Sequence, residues 1–212
     1  MITHVAWDFD GTLMDSYPFI ITSFQESLSE LGLKRPYEEV SNKVRVTVPD
    51  AARFYAGTYH IDYDRLLALF AEKNKRMDFA LVTPFPHVED ALKGVISHGG
   101  RNHLYTHRQK VSAERYLDHY GLLGYFTEEI SSEDPYPRKP APDALLGLKG
   151  KLGCRKDELM MVGDRPIDID AAYNAGCISC FYDSNKLGIP LHATYHVDDY
   201  TEFEALLQRI MA

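Results

Sequence analysis

Short apolar runs alternate with segments of helical period along most of the chain, and this rhythm is what most limits the fold. Strand-like runs cover residues 3–9, 103–106, 159–162, 178–182 and 193–197, with a weaker one at 129–131. Helical patterns fill the intervals at 88–97, 110–119, 142–152, 167–175 and 202–210. Gly99-Gly100, Gly121, Gly153 and Gly176 follow four of them, as expected where a helix ends in a left-handed residue. Pro142 stands close to the first turn of its helix, where its missing N–H does no harm. Such alternation argues for a parallel sheet covered on both faces. The expected fold class is α/β, a doubly wound parallel sheet of Rossmann-like type.

Residues 17–83 break the rhythm. Ile20, Phe24, Leu28 and Leu31 recur at helical spacing up to Gly32. Leu66, Leu67, Leu69 and Phe70 form the apolar stripe of a second helix over 64–77, and a short helical stretch lies between them near 50–55. This segment reads as a small helical cap inserted after the first strand. The expected division is a core of residues 1–15 and 84–212 and a cap of residues 16–83, with a hinge at 14–18 and Pro84-Phe85-Pro86 marking the return.

The balance of 23 Lys plus Arg against 31 Asp plus Glu gives a net charge of −8, with no basic run. Nucleic acid is therefore not an expected partner. An acidic chain that acts on an anion must carry positive groups inside its site. No apolar stretch approaches the length of a membrane span, and no signal-like leader is seen, so no membrane partner is expected and the expected location is cytoplasmic. Cys177 and Cys180 have the spacing of half a zinc site, but the chain holds only one further cysteine, Cys154. All three are expected as free thiols, mostly buried.

The first apolar run leads into Asp8-Phe9-Asp10-Gly11-Thr12. In an extended segment Asp8 and Asp10 leave the same face, and Gly11 allows a tight turn. Two crowded carboxylates repel, which is tolerated where a cation sits between them or one holds a proton. No glutamate closes a calcium loop: the twelfth position counted from Asp8 is Phe19. Open parallel sheets place their ligand sites at the carboxyl ends of strands.

Three further elements begin loops after such runs. Thr106, followed by His107, can present a hydroxyl and backbone N–H groups to phosphate oxygens, or simply cap a helix. Lys139 lies in Arg138-Lys139-Pro140-Ala141-Pro142, where the prolines stiffen the backbone that aims its ammonium. Gly163-Asp164 ends an apolar run, and Asp168 follows one helical turn later, able to reach back or to complement a helix N-terminus.

Asp8-Phe9-Asp10-Gly11-Thr12, Thr106, Lys139 and Gly163-Asp164 with Asp168 together resemble the four motifs of the haloacid dehalogenase-like phosphohydrolases, in the subgroup with a helical cap after the first strand. The resemblance covers essentially the whole chain. It implies a phosphatase in which Asp8 is the nucleophile and forms an aspartyl phosphate, and Asp10 is the acid and base. Mg²⁺ would be the cofactor, held by Asp8, Asp10 through its carbonyl, and Asp164, with Asp168 orienting the shell. Thr106 and Lys139, with N–H groups near Gly11, would hold the phosphoryl oxygens, and His107, which stands where many members carry Asn, is a candidate for the leaving group or a helix-start residue with no catalytic part. Lys43 and Arg45 in the cap are candidates for reading the rest of the substrate. The implied partner is a small phosphorylated metabolite of the phosphoglycolate or sugar-phosphate class. A phosphomutase of this layout usually carries a histidine where Ile20 stands, and a non-catalytic binding member would not need the full set of site residues.

Overall fold

The computed structural model describes residues 1–76, 78–184, 186 and 192–211. The chain divides into two compact units, one of Met1–Met14 and Pro84–Ala212, the other of Asp15–Thr83.

The first unit is built on β1 (His4–Trp7), which is buried along its whole length. The chain leaves this unit through β2 (Met14–Asp15) and runs through four helices of the second unit, α1 (Tyr17–Glu30), α2 (Tyr37–Val44), α3 (Val48–Tyr59) and α4 (Tyr63–Asn74). It returns through β3 (Thr83–Pro84), and β2 and β3 pair as a two-stranded sheet. Helices and strands then alternate: α5 (Val88–Ser97), β4 (Arg101–Tyr105), α6 (Lys110–His119), β5 (Phe126–Ile130), α7 (Asp143–Leu152), β6 (Leu159–Gly163), α8 (Pro166–Asn174), β7 (Ile178–Tyr182), β8 (Tyr195–Val197) and α9 (Tyr200–Ile210).

The six long strands form one sheet in the order β5-β4-β1-β6-β7-β8, and every pair is parallel. The chain builds outward from β1 to one side and then crosses to build the other. That crossing creates a crevice beside the carboxyl end of β1, the usual ligand position in open sheets of this kind.

Alternation along β1 sends neighbouring side chains to opposite faces. Ala6 packs with Leu145, Leu148, Ala171 and Ala172 of α7 and α8. Trp7 faces the other way, its ring 5.0 Å from Phe203 and 6.0 Å from Tyr200 of α9. Its indole N–H, which would be costly to leave unpaired, donates to Asn102 Oδ1 at 2.9 Å, and the Asn102 amide donates in turn to the Leu92 carbonyl at 3.0 Å. Truncating a buried indole of this kind costs about 3–5 kcal/mol.

The second unit has its own core of Phe24, Leu28, Val40, Ala52, Tyr55 and Leu66. Helix α2 was not expected. Its apolar residues Val40 and Val44 are one helical turn apart and leave little periodic signal, while Glu38 and Glu39 suit the first turn and Lys43 the last. Helix α3 is longer than the stretch expected near 50–55 and is capped by Thr47, whose side chain accepts the Asp50 N–H. Helix α4 ends at Asn74; Met77, the last residue expected in it, lies outside the described residues. Pro18, expected in the hinge, lies in the first turn of α1.

The three cysteines are free; Cys180 is buried, while Cys154 and Cys177 are only partly so. Among the described residues no helix is long and apolar enough to cross a membrane.

Candidate active site

Register brings the candidate residues together. Trp7 is level with Leu104 of β4 and with Val162 of β6, so the residues that follow each strand emerge side by side. They are Asp8 after β1, Thr106 after β4 and Asp164 after β6. Strand β1 is shorter than expected. It ends at Trp7; Asp8 donates its N–H to the Val162 carbonyl at 2.9 Å, and Asp10 forms an isolated bridge with Met14. The two carboxylates take different partners.

Asp8 is 1% exposed and has a cation on each oxygen. Lys139 Nζ donates to Oδ1 at 2.8 Å, and Arg165 Nη2 donates to Oδ2 at 3.2 Å. Burial alone would raise its pKa, but these two cations more than offset burial and hold the carboxyl below its ordinary value. Lys139 also donates to the Tyr105 carbonyl at 2.8 Å and lies 4.3 Å from the centre of that tyrosine ring. Asp168 Oδ1 is 2.7 Å from the same ammonium, a contact that is ionic without the angle of a directed hydrogen bond.

Asp168 has two duties. It stands in the first turn of α8, where its Oδ2 accepts the Arg165 N–H at 3.2 Å, and it is fully buried beside Lys139. Burial first, and then the charge of Asp8, push its pKa up against the pull of Lys139. A Cβ on Gly163 would fall 2.3 Å from the Asp168 Cβ, so only glycine lets the strand pass this close to the acid. Asp164 accepts from the Thr12 hydroxyl at 3.2 Å.

Asp10 is held by Arg108. Its oxygens receive Nε at 3.3 Å and Nη2 at 2.5 Å, and the guanidinium lies over the rings of Phe9 and Tyr116. Neither Arg108 nor Arg165 was expected from sequence. Each directly follows a motif residue or its neighbour, and only the folded register shows that the side chain turns inward.

The remaining expectations fare differently. Gly11 adopts φ +83°, and its N–H donates to the Met14 carbonyl at 2.9 Å. That donor is engaged within the turn. Thr106 is buried beside the site but caps no helix: Gln109 precedes α6, and the Thr106 hydroxyl accepts the Arg108 N–H at 3.0 Å. His107, expected near a leaving group, accepts the Lys139 backbone N–H on Nε2 at 2.9 Å. Its lone pair is occupied by the main chain.

Lys43 and Arg45 lie in the helical unit and each covers an aromatic ring there. Lys43 Nζ is 4.0 Å from the centre of Phe54, and the Arg45 guanidinium is 4.3 Å from that of Tyr17. Arg45 also donates to the Ser41 hydroxyl at 3.2 Å.

Asp8, Asp164 and Asp168 each offer an oxygen, and these atoms all lie within 4.8 Å of one another. An all-carboxylate set suits a hard divalent cation such as Mg²⁺, which keeps several waters and needs few protein ligands. The Asp10 side chain is not part of this set, because Arg108 takes it.

The sequence profile of the haloacid dehalogenase-like hydrolases matches residues 5–181. The chain belongs to this family. It is 27% identical over 203 residues to a protein named pyrophosphatase PpaX of Oceanobacillus iheyensis, covering 93% of each chain. It is 30% identical over 190 residues to a phosphoglycolate phosphatase of Yersinia pseudotuberculosis, covering 83% of this chain and 78% of that one. Among solved structures, a predicted phosphoglycolate phosphatase from Haemophilus somnus superposes with a TM-score of 0.83 over 98% of this chain and 97% of that one. Its identity is 19%, so this likeness speaks for the fold alone.

Proposed function

We propose that this haloacid dehalogenase-like hydrolase is a Mg²⁺-dependent phosphatase that cleaves a small phosphorylated metabolite through an aspartyl phosphate on Asp8. The observation that carries this reading is the state of Asp8: buried, kept ionised by Lys139 and Arg165, and within reach of Asp164 and Asp168. A carboxylate is a weak nucleophile, and desolvation in a site of fixed charge is what activates it.

In the first step an Asp8 oxygen bonds to phosphorus as the bond to the leaving oxygen breaks, and Asp10 gives that oxygen a proton. In the second, Asp10 takes a proton from water, whose oxygen bonds to phosphorus as the Asp8–phosphorus bond breaks. Phosphate leaves and Asp8 is restored. Lys139 and Arg165 flank the reacting group and stabilise the charge that spreads over the phosphoryl oxygens. Thr106, buried at the same sheet edge, is proposed to line the phosphoryl pocket. Asp8, Asp164 and Asp168, with the Asp10 carbonyl, are the proposed Mg²⁺ ligands, and the ion would supply further charge for the phosphoryl group.

A divalent ion held among Asp8, Asp164 and Asp168 would offset the repulsion of these three acids and draw a phosphate dianion toward Asp8.

The names of the relatives support phosphoglycolate, pyrophosphate and similar small phosphates as the substrate class. Release of phosphate from p-nitrophenyl phosphate and from a panel of small phosphates, with Mg²⁺ and with EDTA, tests the reading. Turnover that EDTA abolishes and added Mg²⁺ restores is expected; no release from any substrate would refute it.

A further inference from the structure

Lys139 is held at both of its ends by the end of one strand. Its ammonium meets the carbonyl and ring face of Tyr105, and its backbone N–H meets His107 Nε2 at 2.9 Å. Tyr105 and His107 are two residues apart, and their rings meet edge to face at 6.4 Å. His107 is itself flanked by a closed turn, in which the Arg108 N–H donates to the Thr106 hydroxyl at 3.0 Å.

We infer that His107 is a positioning residue for Lys139: as a neutral acceptor it anchors the lysine's main chain and so fixes where the ammonium stands against Asp8. A lysine side chain is rich in rotamers and carries a compact charge on a flexible stem. Pinning only the ammonium leaves its root free to drift, and the phosphoryl site would drift with it. The loop is pinned beyond the root as well, since the Asn174 amide donates to the Pro140 carbonyl at 2.9 Å and the Ala141 N–H closes on Arg138 at 3.0 Å.

The role requires an unprotonated Nε2, hence the tautomer with its proton on Nδ1. Burial and the adjacent Lys139 charge lower the ring's pKa to about 3, so the acceptor persists throughout the neutral range. Nε2 of His107 therefore offers neither a proton nor a free lone pair to a substrate.

The inference rests on the phosphatase reading for its kinetic arm, and a second arm stands without it. His107→Gln keeps an acceptor oxygen at similar reach, whereas His107→Phe keeps the volume and removes the acceptor. With p-nitrophenyl phosphate and Mg²⁺, His107→Gln should retain kcat within about threefold, and His107→Phe should lose about 10- to 100-fold with KM little changed. In the second arm, acetic anhydride labelling read by peptide mass spectrometry should find Lys139 protected in wild type and His107→Gln and acetylated in His107→Phe. Should the Phe variant not fold, His107→Leu replaces it in both arms. Equal kcat for the Gln and Phe variants would overturn the inference. If wild type itself shows no turnover, the phosphatase reading fails, and labelling alone decides: equal protection of Lys139 in all three proteins would overturn the inference.

Discussion

Arg108 grips Asp10 with a two-pronged ion pair, Nε on one carboxylate oxygen and Nη2 on the other. The arginine side chain is only 5% exposed and is steadied by the Ser112 hydroxyl at 3.1 Å, so the group proposed as acid and base is aimed by a fixed partner. Such a fork adds direction as well as charge.

Arg108→Met should release Asp10 from that aim. Asp10 keeps some access to water, so the stability cost is expected at about 1–3 kcal/mol, below that of a wholly buried pair. The kinetic signature lies in the leaving group. An alkyl phosphate needs a proton for its departing oxygen and should lose about 100-fold in kcat, while p-nitrophenyl phosphate, whose leaving group departs as an anion, should lose less. Urea unfolding and steady-state rates on both substrates check this; equal losses on the two would contradict it.

Gly163→Ala would press a methyl group onto Asp168, with contacts of 2.3 Å to Cβ and 2.5 Å to Cγ. Either strand β6 or the acid must move. A loss of about 2–4 kcal/mol in urea unfolding is expected, with weaker activation by Mg²⁺ because Asp168 is displaced from Asp8 and Asp164. A variant with wild-type stability and an unchanged Mg²⁺ dependence would show that the packing is looser than described.

One buried and one half-buried histidine should make the fold acid-sensitive. Burial is the largest cause in both: His103 and His107 are each lowered to about 3 from 6.5. His103 bonds His4 at 3.0 Å and the Thr127 hydroxyl at 3.0 Å, and His107 bonds the Lys139 main chain. Below about pH 6.5 the unfolded chain takes up protons that the native rings refuse. Their contribution is thus intact above that pH and declines as pH falls toward about 3. At about pH 5 the loss is roughly 2 kcal/mol per ring. Urea unfolding across this range should show stability falling steadily with acid; a flat profile from about pH 7 to 5 would contradict it.

The alternating sheet architecture was legible because apolar runs and glycine stops mark each element separately. Asp8 and Asp164 were legible together because residues that follow neighbouring parallel strands must share one edge, whereas Lys139 and Asp168 were added to them by the resemblance of their motifs to the family. The partners were not. Arg108 and Arg165 sit in loops where an arginine usually faces water, and their inward turn depends on distant contacts with Asp10 and Asp8. Helix α2 escaped for a local reason, since Val40 and Val44 bury one narrow stripe among polar neighbours. His107 drew a role from its neighbour Thr106, whereas its actual partner lies 32 positions away.

The claim that Asp8 carries the phosphoryl group can be read directly from the protein. In Asp10→Asn, p-nitrophenyl phosphate can still transfer its phosphoryl group without a proton donor, while hydrolysis lacks its base, so the intermediate should accumulate. Acid quenching and peptide mass spectrometry should then find the phosphoryl group on Asp8, and none in an Asp8→Asn, Asp10→Asn double variant. Label on another residue, or turnover persisting in Asp8→Asn, would contradict the account.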